Sequence, residues 1–409
     1  MHRLFSVSVF TLLFSSLLFS QKEFTLEDIF VKGTFRTKSV PGFNFMADGR
    51  HYSMQKSANI LEYDITTGKL TDTLFAGMQL AGQQGFGGDA EGYTFTEDDS
   101  RMLIESESES VYRYSTKVKC HVYDRQTKMW QEVFSKGKIS NPTFSPDGKK
   151  VAFVYENDLY IYLIDKKQTK RVTTDGRKNE VINGMSDWVY EEEFGFTKAY
   201  WWSPDSRQLA FIRFDEREVP EFTMQMYNDD SYPEHRTFKY PKVGEKNASV
   251  SVFVYSMQQE KLRKVPVAEA ADVYVPRLKW AGSKLCVFEL NRHQNDLQLW
   301  LYNPENQKVD PLYEEKNQYY IDITDDLTFL QDGQHFVWSS EKEGFNQLYL
   351  MGMDGKQKAK LTAGAYDVTS FYGVDEKRGK VYFQAAAHSP MVKTVFSVNL
   401  DGTGLTALT

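Results

Sequence analysis

The chain has 409 residues, 41% of them hydrophobic and 26% charged, with a formal net charge of −7. That length exceeds an ordinary single core unless the fold grows by repetition. Lys and Arg are scattered among Asp and Glu with no basic stripe to neutralise phosphates, which excludes nucleic acid as a partner.

Residues 1–20 read as an export signal. His2 and Arg3 make a weak basic start, Leu4 to Phe19 is apolar apart from Ser and Thr, and Ser20 is a small residue ahead of Gln21. A membrane anchor is the rival reading, because the apolar run approaches a spanning length. Its Ser content and the polar Gln21-Lys22-Glu23 favour cleavage. The chain is therefore expected to be exported, to a bacterial periplasm, cell surface or the medium, and to keep no membrane contact after cleavage. Residues 21–41 form a lead-in, where Thr25 is expected to cap a short helix with Glu27 and Asp28 in its first turn. Cys120 and Cys286, far apart, read as two buried thiols and not as a disulfide framework.

From residue 42 to 409 one unit recurs. An aromatic or apolar residue leads into a polar turn with Asp-Gly or a relative of it; then come a hydrophobic strand, a gap and a second strand. The lead residues are Phe45, Phe95, Phe144, Trp202, Trp280, Phe329 and Val374. They stand about 45 to 60 residues apart except for one gap of 78. Such a period, with short alternating strands and an aromatic content of 15%, predicts an all-β protein, a β-propeller with about seven recognisable four-stranded blades. Each unit is too small to bury its own faces and must stack on its neighbours. The wide gap holds an insertion, expected as a projecting arm near 234–255.

The chemistry concentrates in Asp187-Trp188-Val189-Tyr190-Glu191-Glu192-Glu193-Phe194, followed by Tyr200-Trp201-Trp202-Ser203-Pro204-Asp205. Three consecutive Glu residues are ordinarily an exposed acidic turn, but here Trp188, Tyr190 and Phe194 frame them. Neighbouring side chains diverge by roughly 100° on a helix and point to opposite faces of a strand. Glu192 and Glu193 can thus meet one ligand only from an irregular turn or a frayed helix end, which Gly195 permits. Adjacent carboxylates repel, so a cation between them, or a nearby Arg, eases their joint ionisation.

With these flanks the chain resembles the dipeptidyl peptidase IV family of the prolyl oligopeptidase clan of serine peptidases. The resemblance runs from about Thr25 to the last residue. It covers Thr25-Leu26-Glu27-Asp28, the acidic run, the Trp201-Trp202-Ser203-Pro204 turn and the Tyr240-Pro241-Lys242 to Asn247 arm. It implies an eight-bladed propeller followed by an α/β-hydrolase domain, so that the final blade and the hydrolase are expected to be absent from this chain. It implies peptide substrates with a free N-terminus, cut after a Pro or Ala in second position. Glu192 and Glu193 would hold the α-ammonium, and Arg113, in Val111-Tyr112-Arg113-Tyr114-Ser115, the adjacent carbonyl. Homodimerisation through the arm is a further implication. The family's Arg-containing turn in a later blade has no counterpart near Gln318 to Asp322, where Tyr320 offers an aromatic face instead. Glu191 is left as a structural or solvent-facing neighbour.

No Gly-x-Ser-x-Gly elbow occurs in the sequence. His51, His121 and His335 read as structural residues in strands, and His293 and His388 lie in turns. No metal or cofactor is expected, and Asp322 to Asp326 reads as a turn and not a calcium loop. The resulting expectation is the substrate-recognition propeller of an exported serine dipeptidyl peptidase, inactive by itself. The alternative is a stand-alone exported propeller that binds peptide or protein without catalysis.

Overall fold

Seven antiparallel sheets follow one another along the chain, each with its strands hydrogen-bonded in sequence order apart from the split first strands of the fourth and fifth. The computed structural model describes residues 23–37, 39–268 and 272–409, so the expected export signal lies outside the described residues. The blades span 44–76, 92–132, 140–171, 181–264, 273–316, 328–360 and 368–407. No helix among the described residues is long and apolar enough to cross a membrane.

The recurring turn has a physical cause. In every blade the link between the first and second strands places one residue in the left-handed region: Gly49, Asp99, Gly148, Ser206, Gly282, Gly333 and Gly379. Glycine takes that conformation without strain. Three residues earlier in blades two to four stands a Ser or Thr locked to an Asp: Thr96 Oγ1 donates to Asp98 at 2.7 Å, Ser145 Oγ to Asp147 at 2.5 Å and Ser203 Oγ to Asp205 at 2.6 Å. The two exceptions to glycine reach back to the preceding blade. Asp99 accepts from the Ala47 amide at 2.6 Å, and Ser206 Oγ accepts from the Asp147 amide at 2.9 Å.

The middle strands are sandwiched between neighbouring blades, which explains their continuous apolar runs. In Gln208–Asp215, Leu209, Ala210, Phe211 and Ile212 are all fully buried. Removing a large apolar side chain of this kind from water stabilises by roughly 1.5–3 kcal/mol. The core accordingly lies between sheets. One cluster joins blades three to six, and smaller ones join one to two, two to three and six to seven.

Three details depart from the expected layout. The projecting arm is a hairpin of Glu221–Met226 with Glu234–Lys239, earlier than the stretch 234–255. Ser249–Ser256 belongs to blade four, because it pairs along Gln208–Asp215 and buries Val250, Val252 and Val254. In the lead-in, Thr25 does accept the Asp28 amide, at 3.0 Å, but the five residues Glu27–Val31 form a π-type turn. His388 sits in the strand Lys380–Ser389 and not in a turn. Cys120 and Cys286 are free and buried.

Candidate functional site

Blade four's first strand is interrupted. Val181–Asn183 and Tyr200–Trp202 both pair with Gln208–Asp215, and between them rises a short helix, α1 (Trp188–Glu193). Asp187 caps it, accepting the Tyr190 amide at 2.9 Å. The Asp187 carboxyl is wholly buried, and desolvation pushes it up to about 7. Phe194 ends the helix and Gly195, at φ +69°, turns the chain away.

Aromatic contacts hold α1 in place. The buried Tyr190 packs on Phe194, Phe196, Phe214 and Tyr274, and its hydroxyl accepts the Val275 amide of blade five at 2.9 Å. Trp188 lies against Tyr240, just past the arm, with centroids 4.3 Å apart. The aromatic frame around the acidic run is therefore an anchor. It fixes where the helix end points.

The three glutamates part ways. Glu191 is fully buried and faces blade two, where its Oε1 accepts the amides of Tyr114 at 2.7 Å and Ser115 at 3.0 Å. Its Oε2 is buried without a partner. Glu191 is thus structural and not solvent-facing, and it ties α1 to the loop that carries Arg113. Glu192 turns onto that loop: Arg113 Nε donates to its Oε2 at 2.9 Å and to its Oε1 at 3.1 Å. The Glu192 side chain is 17% exposed and Arg113 is 65% exposed, so the pair sits at a surface.

Glu193 is exposed on the last turn of α1 and has no ion pair or hydrogen bond among the described residues. Its charge is felt at Tyr320, whose phenol is pushed up by burial first and then by the charges of Asp322 and Glu193. Arg113 and Glu192 are thus brought together, with the exposed Glu193 next to Glu192 on α1. A cation arriving between the two carboxylates would share Glu192 with Arg113 and take Glu193 unshared.

The arm braces the same loop from outside. Arg236 donates to the Val111 carbonyl, and Phe238 packs on Tyr112 with centroids 5.8 Å apart. Beneath lie two more buried acids near Tyr112, Asp187 and Glu216; desolvation and the charge of Asp187 push Glu216 up to about 8. Neither the Glu191 contacts nor this brace was predicted. The histidines behave as structural residues: His51 and His335 bond Asp48 and Asp332 at 2.6 and 2.7 Å, and the buried His121 stacks on Trp130 at 4.4 Å.

Residues 96–409 match the family model for the dipeptidyl peptidase IV N-terminal region. Among curated proteins, the dipeptidyl-aminopeptidase B of Aspergillus niger is 30% identical over 342 residues, covering 76% of this chain and 38% of that protein. A probable dipeptidyl peptidase 4 of Aspergillus flavus is 27% identical over 425 residues, covering 95% of this chain and 52% of its own. The chain thus spans about half or less of the curated relatives it matches. Among solved structures, Porphyromonas gingivalis dipeptidyl peptidase 4 superposes with a TM-score of 0.88 at 37% identity, over 95% of this chain and 56% of that one. A putative dipeptidyl aminopeptidase IV from Bacteroides ovatus, at 23% identity and a TM-score of 0.71, shares the fold.

Proposed function

The chain belongs to the dipeptidyl peptidase IV N-terminal region family, and from that premise we propose that it is the substrate-recognising propeller of an exported serine dipeptidyl peptidase. Glu192 and Glu193 hold the α-ammonium of a peptide, and Arg113 holds the carbonyl next to it. Hydrolysis itself belongs to a Ser-His-Asp site outside this chain, so the propeller acts as a ruler for how much N-terminus enters. The observation that carries this reading is the Arg113–Glu192 pair, 2.9 Å apart across 79 residues and two blades, with Glu193 left unshared beside it.

Charge explains why such a site selects free N-termini. An ammonium between two carboxylates gains charge-assisted hydrogen bonds, and acetylation removes both the charge and the donors. Export rests on residues 1–20. Homodimerisation through the arm rests on its exposed Phe222, Met224, Tyr227 and Tyr232.

The test is binding of Ala-Pro dipeptide to the 409-residue chain by calorimetry. The free-amine form binds, and N-acetyl-Ala-Pro does not. Glu192→Gln or Glu193→Gln weakens binding by about fivefold, the equivalent of about 1 kcal/mol for an ion pair at a surface. Equal affinity for the free and acetylated dipeptides would overturn the reading.

A further inference from the structure

A cleft lined by Val111 and Tyr112 adjoins the Arg113 loop. Its volume is about 530 Å³, within the range of small-ligand sites. It is bounded by the blade-two loop, the Glu156-Asn157 turn of blade three, the connector 171–179 and the arm. The buried Ile182 and Met185 form apolar wall.

The charges around it are unbalanced. Lys117, Arg171, Arg177, Lys178 and Arg236 all line the cleft. Arg171 is neutralised by the buried Asp158 and Arg177 pairs with Glu180 at 3.4 Å. Lys117 and Lys178 have no ion pair or hydrogen bond among the described residues, and Arg236 meets only the Val111 carbonyl. Two acids also line the space. Glu156 is exposed at the rim; Glu216 is buried, and its carboxyl, pushed up to about 8 by desolvation, carries a proton near neutral pH. Two unpaired lysines and an arginine held only by a carbonyl, none of them in an ion pair among the described residues, therefore line the space with one exposed carboxylate, in a protein whose overall charge is −7. A local field of this sign, set against the sign of the whole molecule, concentrates anions in the cleft.

We propose that this cleft binds a short acidic peptide segment, with carboxylates on Lys117, Lys178 and Arg236 and its backbone over Ile182 and Met185. The mouth is framed by main-chain turns and by the arm, so an extended segment can lie along it, and the three cations are carried on separate elements: blade two, the connector to blade four, and the arm. Cations on three separate elements suit several carboxylates on one flexible chain. Arg113, Glu192 and Glu193 are not among the residues that line the cleft, and its ligand needs no free N-terminus.

The probe is N-acetyl-triglutamate amide, which offers three carboxylates and no ammonium, titrated into the 409-residue chain by calorimetry. N-acetyl-triglutamine amide serves as the neutral control. Saturable binding of the acidic peptide alone is expected. Lys117→Glu with Lys178→Glu weakens it by about tenfold or more, as expected on reversing two charges at a contact. Both lysines are exposed, so the double variant folds, and circular dichroism confirms it. Lys377→Glu with Lys393→Glu, exposed on blade seven, leaves binding unchanged. Glu192→Gln leaves it unchanged too, which separates this proposal from the ammonium site. The proposal is overturned by no saturable binding, by equal binding of the neutral peptide, or by equal losses in the two double variants.

Discussion

Replacing Glu191 with Ala removes the buried contact that ties α1 to the loop carrying Arg113. The side chain is fully buried, and a single oxygen accepts the amides of Tyr114 and Ser115 at 2.7 and 3.0 Å. Each amide left dry and unpaired costs about 1–3 kcal/mol. Taking about 3 kcal/mol for the two together, the loop at 111–115 opens about 100-fold more readily. Hydrogen exchange followed by mass spectrometry on a peptide covering 111–117 reads that opening directly, with peptides from blade six as the internal reference. Glu191→Gln keeps an acceptor oxygen in the same place, and its protection stays within about 1 kcal/mol of the parent. In the Ala variant the dipeptide affinity falls as well, although Glu191 touches no ligand. Unchanged protection of 111–117 in Glu191→Ala, or equal loss in Gln and Ala, would refute the reasoning.

Three further expectations concern stability and reactivity. Asp187 titrates near 7 when folded and near its ordinary 3.8 when unfolded, and Glu216 near 8 against 4.5. The native state thus holds more protons over that interval, and stability falls as pH rises from about 4 to about 8. Asn at 187 still caps α1 but cannot ionise. Urea titrations at pH 5 and pH 8 should therefore show Asp187→Asn gaining on the parent at the higher pH, by on the order of 2–4 kcal/mol; parallel behaviour would count against a buried protonated Asp187. Ser206→Ala keeps the left-handed backbone yet strips the Asp147 amide of its acceptor, and should lower stability by about 1–2 kcal/mol in the same assay. Cys120 and Cys286 are buried and burial pushes both thiols up, so neither should react with a disulfide reagent at pH 8 until denaturant is added.

The propeller was legible because its defining constraint is local. A left-handed residue between two strands selects Gly, and the Ser-Asp or Thr-Asp lock before it repeats at a countable period. Seven lead residues were enough to reveal seven sheets. The acidic run was legible as well, since aromatic framing of three glutamates is uncommon within a strand-rich pattern. What each glutamate does was not. Glu191 satisfies amides 76 and 77 residues away, and no local pattern records which of three neighbouring carboxyls faces inward. The arm was misplaced by 13 residues at its start and 16 at its end for a related reason. Ser249–Ser256 and the hairpin strands are equally plausible as extended chain, and only the pairing with Gln208–Asp215 assigns the former to the blade. Partner choice across strands is decided by burial, which local sequence does not encode.

The Arg113–Glu192 contact joins blade two to blade four and skips blade three. Neighbouring blades are stitched edge to edge, by Asp147 to Ser206 or by the Trp280 indole to the Trp201 carbonyl at 3.1 Å. The contact, by contrast, spans like a chord across an arc. Its length is therefore a readout of the angle between two non-adjacent blades. If blade three swells or tilts, the chord lengthens while every residue at its ends stays in place. Core substitutions in blade three, such as at Phe153 or Ile161, thereby acquire a route to substrate affinity that no list of ligand contacts contains. If the propeller acts as the proposed ruler, the packing of blade three sets its calibration.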